Sequence, residues 1–170
     1  MSPSKAMSTI YWDSCVFIAW IKDEKRPAGE MDGVYECVER VQAGTIRLIT
    51  SVLTRTEVFE TNLPNPVRTQ YAALLNRRNV CLLDQDLRVS DLARGIREYY
   101  QAENAKDGKG TIASPDAVHL ATAIHYKADA LYTFDQGKRG GRGLLSLDGN
   151  VAGHVIKICR PEVLQYRLRF

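Results

Sequence analysis

Residues 9–22 read TIYWDSCVFIAWIK, and the pattern changes at the single acidic residue of this stretch. The first four residues are strand formers, so they predict a short β-strand. Asp13 ends that strand, and Ser14 can begin a helix that continues to Lys22. In open α/β sheets, ligands bind outside the carboxyl ends of the strands. Asp13 therefore lies at a position where functional groups are expected.

Strands and helices alternate along the rest of the chain. Further strands are predicted over residues 46–50, 80–83, 130–134 and 155–159, where apolar residues form short runs. Helices are predicted over residues 33–43, 51–62, 67–77 and 114–127, and a longer one begins at Asp84 or Asp86 and ends near Asn104; several of them begin at a capping Ser or Asp. This alternation predicts an α/β fold of three layers, α/β/α, with a central parallel sheet of about four to five strands.

The size of the chain suits one domain. It has 170 residues, of which 45% are hydrophobic, and the apolar residues are spread along its length. We predict a single domain over residues 1–170, with a loose leader over residues 1–6 and a C-terminal tail over residues 161–170. The most apolar early segment, residues 10–21, contains Asp13 in its middle, so neither a signal peptide nor a membrane span is expected.

Charge and cysteine content bound the partners and the compartment. The net charge is +3, with 23 basic and 20 acidic residues, a mild excess that permits a polyanionic partner without requiring one. The cysteines are widely spaced and form no C-x-x-C pair, so a zinc site is not expected. Free thiols indicate a reducing compartment, and we expect a cytoplasmic protein. The four cysteines are Cys15, Cys37, Cys81 and Cys159.

Four acidic residues occupy places suited to a common site: Asp13, Glu57, Asp116 and Asp135. Two of them directly follow the first and fourth strands. Glu57 is expected two turns into the helix after the second strand, and Asp116 in the first turn of the helix before the fourth. Ordinary alternatives exist, since Asp13 can cap the following helix and Asp135 can form a turn before Gly137. Asp116 can also serve the helix dipole.

Glu57 and Asp116 are harder to explain as surface acids. On a helix Glu57 lies nearly above Leu53, and Asp116 shares a face with Leu120. A carboxylate buried without a partner is costly, and several carboxylates in one crevice repel each other. A hard divalent cation such as Mg²⁺ or Mn²⁺ resolves the conflict, because it takes oxygen ligands. An all-carboxylate site of this kind is typical of phosphoryl transfer.

The chain resembles the PIN-domain family, and within it the VapC-like toxins of type II toxin–antitoxin systems. The resembling segments are YWDSC at residues 11–15, SVLTRTEV at 51–58, SPDAVHLATA at 114–123 and LYTFD at 131–135. In order and spacing the resemblance covers about residues 8–160. It implies a PIN-like fold and a ribonuclease that hydrolyses RNA with the help of Mg²⁺ (or Mn²⁺).

The resemblance also implies residue roles and partners. The catalytic and metal-binding residues would be Asp13, Glu57, Asp116 and Asp135, with Ser14 and Thr133 in support. The expected partners are an RNA substrate, a cognate antitoxin protein and a second copy of the chain, with no membrane. The segment over residues 136–150 is longer than in compact members of the family. Asp135 could therefore bind the metal through water, or only when substrate is present.

Basic residues follow the last of these acids in a glycine-rich loop: Lys138, Arg139 and Arg142. They could bind RNA phosphates, which would make binding dependent on salt. A solvated loop without such a role is an equal alternative. His119 and His125 are interpreted as surface or packed histidines rather than as a general base.

Two other functions are alternatives to the ribonuclease. A catalytically silent PIN-like module would bind RNA or protein without cleaving it, and the complete set of acids argues against this alternative. A small-molecule nucleotide binder would need a glycine-rich phosphate loop after the first strand. The segment that follows Trp12 is DSCV, which is not such a loop.

Overall fold

The computed structural model describes residues 7–138 and 140–163. The predicted leader, residues 164–170 of the predicted tail, and Arg139 lie outside the described residues. Within them five strands form one parallel sheet in the order β3-β2-β1-β4-β5. The strands are β1 (Ser8–Trp12), β2 (Ile46–Ser51), β3 (Val80–Leu83), β4 (Ala130–Tyr132) and β5 (Lys157–Cys159).

The strand order places β1 at the centre of the sheet. In the register of its two neighbours, Ile10 lies between Leu48 of β2 and Ala130 of β4. The order of connection reverses between β1 and β4, so these strands form the switch point at which open α/β sheets bind ligands. The predicted parallel α/β sheet is confirmed.

Six helices connect the strands in the described part of the chain: α1 (Ser14–Lys22), α2 (Asp32–Gln42), α3 (Thr54–Glu57), α4 (Asn65–Leu75), α5 (Leu87–Asp107) and α6 (Ser114–His125). Short 3₁₀ turns add Glu60–Asn62 and Leu144–Leu147. Helices α1, α2 and α4 pack on one face of the sheet, and α5 and α6 pack on the other. Both faces are covered, which explains why the strands are apolar on both sides.

Alternation along β1 distributes its side chains between the two layers. Trp12 packs into the core beneath α1 and α2, whereas Tyr11 packs into the core beneath α5 and α6. Residues two apart on a strand share a face. Tyr11 and the acid that follows the strand, Asp13, therefore point to the same side, where α6 lies.

The predicted helix over residues 51–62 is wrong. Ser51 is the last residue of β2, and its hydroxyl accepts a hydrogen bond from the amide of Leu53. The helix that follows has only four residues, because Val58 is already extended, with φ −93° and ψ 108°. Threonine hydroxyls in this segment bond to nearby oxygens, and such local bonds compete with a helix. Glu57 is consequently the last residue of α3 and does not lie two turns into a helix.

Other differences from the predicted boundaries are small. Ala113, and not Ser114, occupies the N-cap of α6. β4 ends at Tyr132, so two residues separate it from the acid predicted to follow it directly. β5 begins at Lys157, two residues later than predicted, and Val155, the predicted first residue of this strand, is 90% exposed. The four cysteines are free thiols, as expected. None of the described helices combines the length and the apolar character that crossing a membrane requires.

Candidate active site

A cleft of about 440 Å³ opens at the carboxyl ends of β1 and β4. Loops that follow the two strands form one part of its wall, and the first turn of α6 forms another. The cleft brings together three of the four predicted acids, from segments more than 100 residues apart in the chain. Its polar lining includes Asp13, Ser14, Asp116, His119, Asp135 and Lys138.

Asp13 caps α1 and is almost fully buried. One carboxylate oxygen accepts from the amides of Cys15 and Val16, at 3.0 and 3.3 Å. The other accepts from the hydroxyl of Thr133 at 2.5 Å. Burial raises the pKa of Asp13, although the neighbouring His119 ring and hydrogen bonds from Cys15, Thr133 and Val16 oppose the rise. The capping alternative and the site prediction thus describe the same side chain.

Thr133 connects the first and the fourth acid. Its hydroxyl donates to Asp13 and accepts from the amide of Asp135 at 2.9 Å. The side chain is fully buried, so both bonds are shielded from water. This arrangement supplies a physical reason for the T-x-D spacing of residues 133–135, because the threonine sets the position of one acid and the backbone of the other.

The carboxylate of Asp135 is hydrogen-bonded to the backbone of the loop that follows it. Its two carboxylate oxygens accept from the amides of Gly137 and Leu144, at 2.9 and 2.8 Å. These bonds tie the backbone of Gly137 and of Leu144 to the same side chain beside the cleft. The turn alternative is therefore realised, and each carboxylate oxygen of Asp135 already uses one lone pair for a bond to its own loop.

Glu57 lies beside the cleft and is held by a histidine. Its carboxylate is 2.8 Å from the Nε2 atom of His119, which is itself 2% exposed. Burial alone would raise the pKa of Glu57, but hydrogen bonding to His119, the potential of that ring and a hydrogen bond from Ser14 bring it below its usual value. Glu57 also lines a second, apolar groove on its other side.

Asp116 is the least compensated acid of the group. It lies in the first turn of α6, is partly buried, and accepts no hydrogen bond from the described residues. Burial raises its pKa to about 6, and repulsion from Asp135, Asp13 and Glu57 contributes to the rise, which His119 opposes. The three other predicted acids are therefore close enough to Asp116 to raise its pKa.

The acids do not form a closed coordination shell. Among residues 7–138 and 140–163, no three acidic, histidine or cysteine side chains are arranged to surround one metal ion. The predicted compact cluster is thus absent from the described residues, because Asp13, Glu57 and Asp135 are each directed towards protein donors. The chemistry of the donor set nevertheless fits a hard cation, since its oxygens leave negative charge uncompensated at Asp116.

The cations of the cleft differ in their availability. Lys138 is exposed at its rim. Arg142 is already engaged, because it bonds both carboxylate oxygens of Asp107, at 3.0 and 3.1 Å, and the carbonyl of Gly110. These bonds join the end of α5 and the loop after it to the loop after Asp135. Arg142 therefore has a structural role in addition to its predicted role in RNA binding. The prediction for Arg139 falls outside the described residues.

Sequence reasoning missed two members of the site. His119 was expected to be a packed or surface residue, and it is packed, but it also contacts Glu57. Its position three residues after Asp116 puts the two on one face of a helix, which was the available signal. Arg26 reaches the cleft from the loop between α1 and α2, and its guanidinium lies 3.8 Å from the ring centroid of Phe134. No local pattern indicates that contact.

Comparison with known proteins places the fold. The chain resembles the structure of VapBC2 from Rickettsia felis bound to a DNA fragment from their promoter, with a TM-score of 0.52, 14% identity, and 88% of this chain and 98% of that chain covered. It also resembles FitAcB from Neisseria gonorrhoeae, with a TM-score of 0.50, 20% identity, and 75% and 88% covered. None of the curated proteins that were compared matches it. The family model of the PIN domain matches residues 10–139. The chain therefore belongs to the PIN-domain family.

Proposed function

We propose that this protein is a divalent-metal-dependent endoribonuclease that serves as the toxin of a toxin–antitoxin pair. The observation that carries the proposal is the state of Asp116. Its carboxylate lies at the switch point of the sheet without a hydrogen-bond donor among the described residues, and burial with three neighbouring acids raises its pKa to about 6. A site that concentrates negative charge in this way needs a cation to work near neutral pH.

Asp13 and Asp116 are the residues that would hold Mg²⁺ or Mn²⁺ directly, with Glu57 as a further oxygen donor and Asp135 acting through water. When bound, the ion would polarise the phosphate and lower the pKa of a water molecule that attacks it. Thr133 keeps the carboxylate of Asp13 in place through its 2.5 Å hydrogen bond.

The substrate requires positive charge as well. Lys138 at the rim of the cleft is free to meet an RNA phosphate, because it is exposed beside the acids. Arg26 lines the same cleft, although Glu24 at 2.7 Å already shares its charge. Contacts to phosphates hold the strand in register without reading its sequence, so we expect binding to weaken as salt rises.

The apolar groove beside Glu57 supplies a surface for the antitoxin. The groove has a volume of about 470 Å³, lies between α1 and the start of α4, and includes Ile18 and Val67. Phe59 on its border is 71% exposed. An amphipathic antitoxin segment would insert apolar side chains here and place an Arg or Lys against Glu57, which complements the charge at that end of the groove. The likeness of the fold to the structures of VapBC2 and FitAcB agrees with a partner of this kind.

The nuclease proposal is tested with purified protein and a structured RNA. Wild type is incubated with Mn²⁺, with Mg²⁺ and with EDTA, beside Asp13→Asn and Asp116→Asn. The matched control is Asp91→Asn, the same chemical change at an exposed site on α5. We expect metal-dependent cleavage by wild type and by the control, and a loss of at least about 100-fold in the two cleft variants. Cleavage that persists in EDTA or in both cleft variants overturns the proposal.

The toxin role is tested in cells. Expression of the wild type should arrest growth, Asp116→Asn should relieve the arrest, and co-expression of the small protein encoded beside it should do the same. Replacing Phe59 by Asp should weaken that protection while leaving RNA cleavage in vitro intact. Arrest that Asp116→Asn does not relieve would contradict a toxin acting through this cleft. A cytoplasmic location and a homodimer remain predictions, and the free cysteines agree with the first of them.

The alternative of a silent RNA- or protein-binding module rests on one observation. Asp13, Glu57 and Asp135 already have protein partners, and no compact metal shell exists among the described residues. RNA binding without cleavage under any divalent ion would select this alternative.

A further inference from the structure

A chain of hydrogen bonds runs from the core of the sheet to Glu57. The amide of Ser51, at the end of β2, donates to the hydroxyl of Tyr11 at 3.1 Å. That hydroxyl lies 2.6 Å from Nδ1 of His119, and Nε2 of the same ring lies 2.8 Å from Glu57. Tyr11 and His119 are both essentially inaccessible to water, with 0% and 2% exposure. This series of hydrogen bonds joins β1, β2, α3 and α6.

The donors and acceptors along this chain can be assigned from their chemistry. An ionised carboxylate only accepts, so Nε2 of His119 must carry a hydrogen and donate it to Glu57. The other ring nitrogen, Nδ1, lies within hydrogen-bonding distance of the phenol of Tyr11, so the ring is held from both edges. The phenol oxygen meanwhile accepts from Ser51. Both ring nitrogens of His119 are therefore paired, and the ring cannot rotate without breaking a buried hydrogen bond.

Glu57 needs this support because its own helix is short. α3 contains four residues, its N-cap residue Leu53 makes no side-chain capping bond, and the backbone becomes extended at Val58 immediately afterwards. Such an element fixes a side chain poorly. The carboxylate is instead tied to α6, three residues after Asp116 on the same helical face.

We propose that His119 is a positioning residue of the nuclease. Tyr11 orients the ring of His119, and His119 in turn holds the carboxylate of Glu57 in the charged environment of Asp116. The inference rests on the proposed function above. His119 acts through Glu57 and takes no part in the bond-making step. Partners of this type, one shell beyond the residues that hold a metal, typically change metal affinity or activity by about 10- to 100-fold when they are removed.

The test compares two replacements of similar size. His119→Gln keeps an amide N–H that can donate to Glu57, whereas His119→Leu removes the donor. His125→Gln, the same exchange at the end of the same helix, is the control. We expect His119→Leu to weaken Mn²⁺ binding, measured by calorimetry, by about 10- to 100-fold. It should lower kcat by a similar factor with little change in the KM for RNA, and His119→Gln should restore most of both.

A spectroscopic measurement accompanies the kinetics and does not depend on activity. NMR of the metal-free wild type should show a slowly exchanging hydrogen on Nε2 of His119, held in the bond to Glu57. Tyr11→Phe, which removes only the hydroxyl, should make that hydrogen exchange faster. This variant also provides the test if His119→Leu does not fold.

The outcomes separate the two proposals. Metal-dependent cleavage by wild type, together with full activity and full Mn²⁺ affinity of His119→Leu, overturns the positioning role alone. Equal losses in His119→Leu and His119→Gln, with equal falls in melting temperature, show a merely structural residue and overturn it as well. A wild type that neither cleaves RNA nor binds Mn²⁺ overturns the proposed function, and the positioning role falls with it.

Discussion

At the scale of single residues, the balance of charge at Asp116 has a consequence for stability. Burial, with repulsion from Asp135, raises its pKa from the usual 3.8 to about 6. The folded protein therefore binds more protons than the unfolded chain between these two values, so the contribution of this group to stability falls as the pH rises through that window. Above about pH 6 the ionised carboxylate works against folding. Without a cation, burial and repulsion from the neighbouring acids therefore make the ionised form of Asp116 destabilising.

The cost of ionising Asp116 in the folded protein predicts that Asp116→Asn stabilises the metal-free protein. At pH 7 in EDTA, we expect the free energy of unfolding to rise by about 1–2 kcal/mol, a value reduced from the full pKa shift because the group is partly exposed. Urea unfolding at pH 4 and pH 7 measures it, and the gain should nearly vanish at pH 4. The exposed acid Asp91 supplies the control, since Asp91→Asn should leave the difference between the two pH values unchanged. A destabilised Asp116→Asn at pH 7 would show that the acids do not repel as described.

Asp135 should behave in the opposite way, because its carboxylate is satisfied. Replacing it by Ala removes the acceptors for the amides of Gly137 and Leu144. We expect a loss of about 1 kcal/mol in EDTA, mainly from the part-buried amide of Leu144, because the amide of Gly137 is exposed and can bond to water. Hydrogen exchange of these two amides should accelerate. Gln136→Ala, at an exposed neighbouring position, should change neither quantity. Unaltered exchange in Asp135→Ala would contradict the role of this acid in holding the backbone of its loop.

At the scale of elements, what could be predicted from the sequence depended on the range of the interactions. The strands and most helices follow from local periodicity, and the neighbouring positions of β1 and β4 brought Asp13 and Asp135 to one cleft. The short α3 could not be predicted, because hydroxyl bonds such as that between Thr50 and Thr54 decide where it begins and ends. A helical pattern in the letters carries no information about such competing bonds.

The detailed geometry of the site was equally beyond local patterns. Asp135 bonds to an amide nine residues later, and Arg26 reaches a ring that is 108 residues away in the chain. Glu57 and His119 meet across 62 residues. The sequence thus predicted which acids lie near one another, whereas the hydrogen-bond partners of each carboxylate depend on the packing of loops. The missing compact cluster is a consequence of those partners.

Two glycines in helices provide a matched test of element packing. A Cβ added to Gly33 in α2 would lie 2.1 Å from the carbonyl oxygen of Pro161, so the backbone after β5 would have to move. At Gly95 in α5 an added Cβ meets nothing within 4 Å. We expect Gly95→Ala to stabilise the protein by about 0.5–1 kcal/mol, because alanine is the better helix former. Gly33→Ala should destabilise it by about 1–3 kcal/mol through the clash. Thermal unfolding of both variants measures the difference, and two stabilised variants would contradict the close approach at Pro161.

At the scale of the whole molecule, the four acids come from segments that the fold alone brings together. Asp13 follows β1, Glu57 ends α3, Asp116 lies in the first turn of α6 and Asp135 lies after β4. The unfolded chain separates these segments, so it does not present them jointly to a cation. A ligand that binds the folded state and not the unfolded state stabilises the folded state by mass action. Metal binding and global stability are therefore coupled in this protein if the proposed function holds.

The coupling predicts a reversal in the order of stability between two forms of the protein. In EDTA, Asp116→Asn should be the more stable form, because it lacks the repelling charge. At a Mn²⁺ concentration 100 times the dissociation constant, the wild type should gain about 2.7 kcal/mol, while the variant gains much less because a principal ligand is gone. The wild type should then match or exceed the variant, and its melting temperature should rise with the logarithm of Mn²⁺ concentration. Thermal unfolding of both forms across a Mn²⁺ series measures this. Parallel curves that never approach each other would mean that the repulsion at Asp116 and the binding of the ion belong to different places in the molecule.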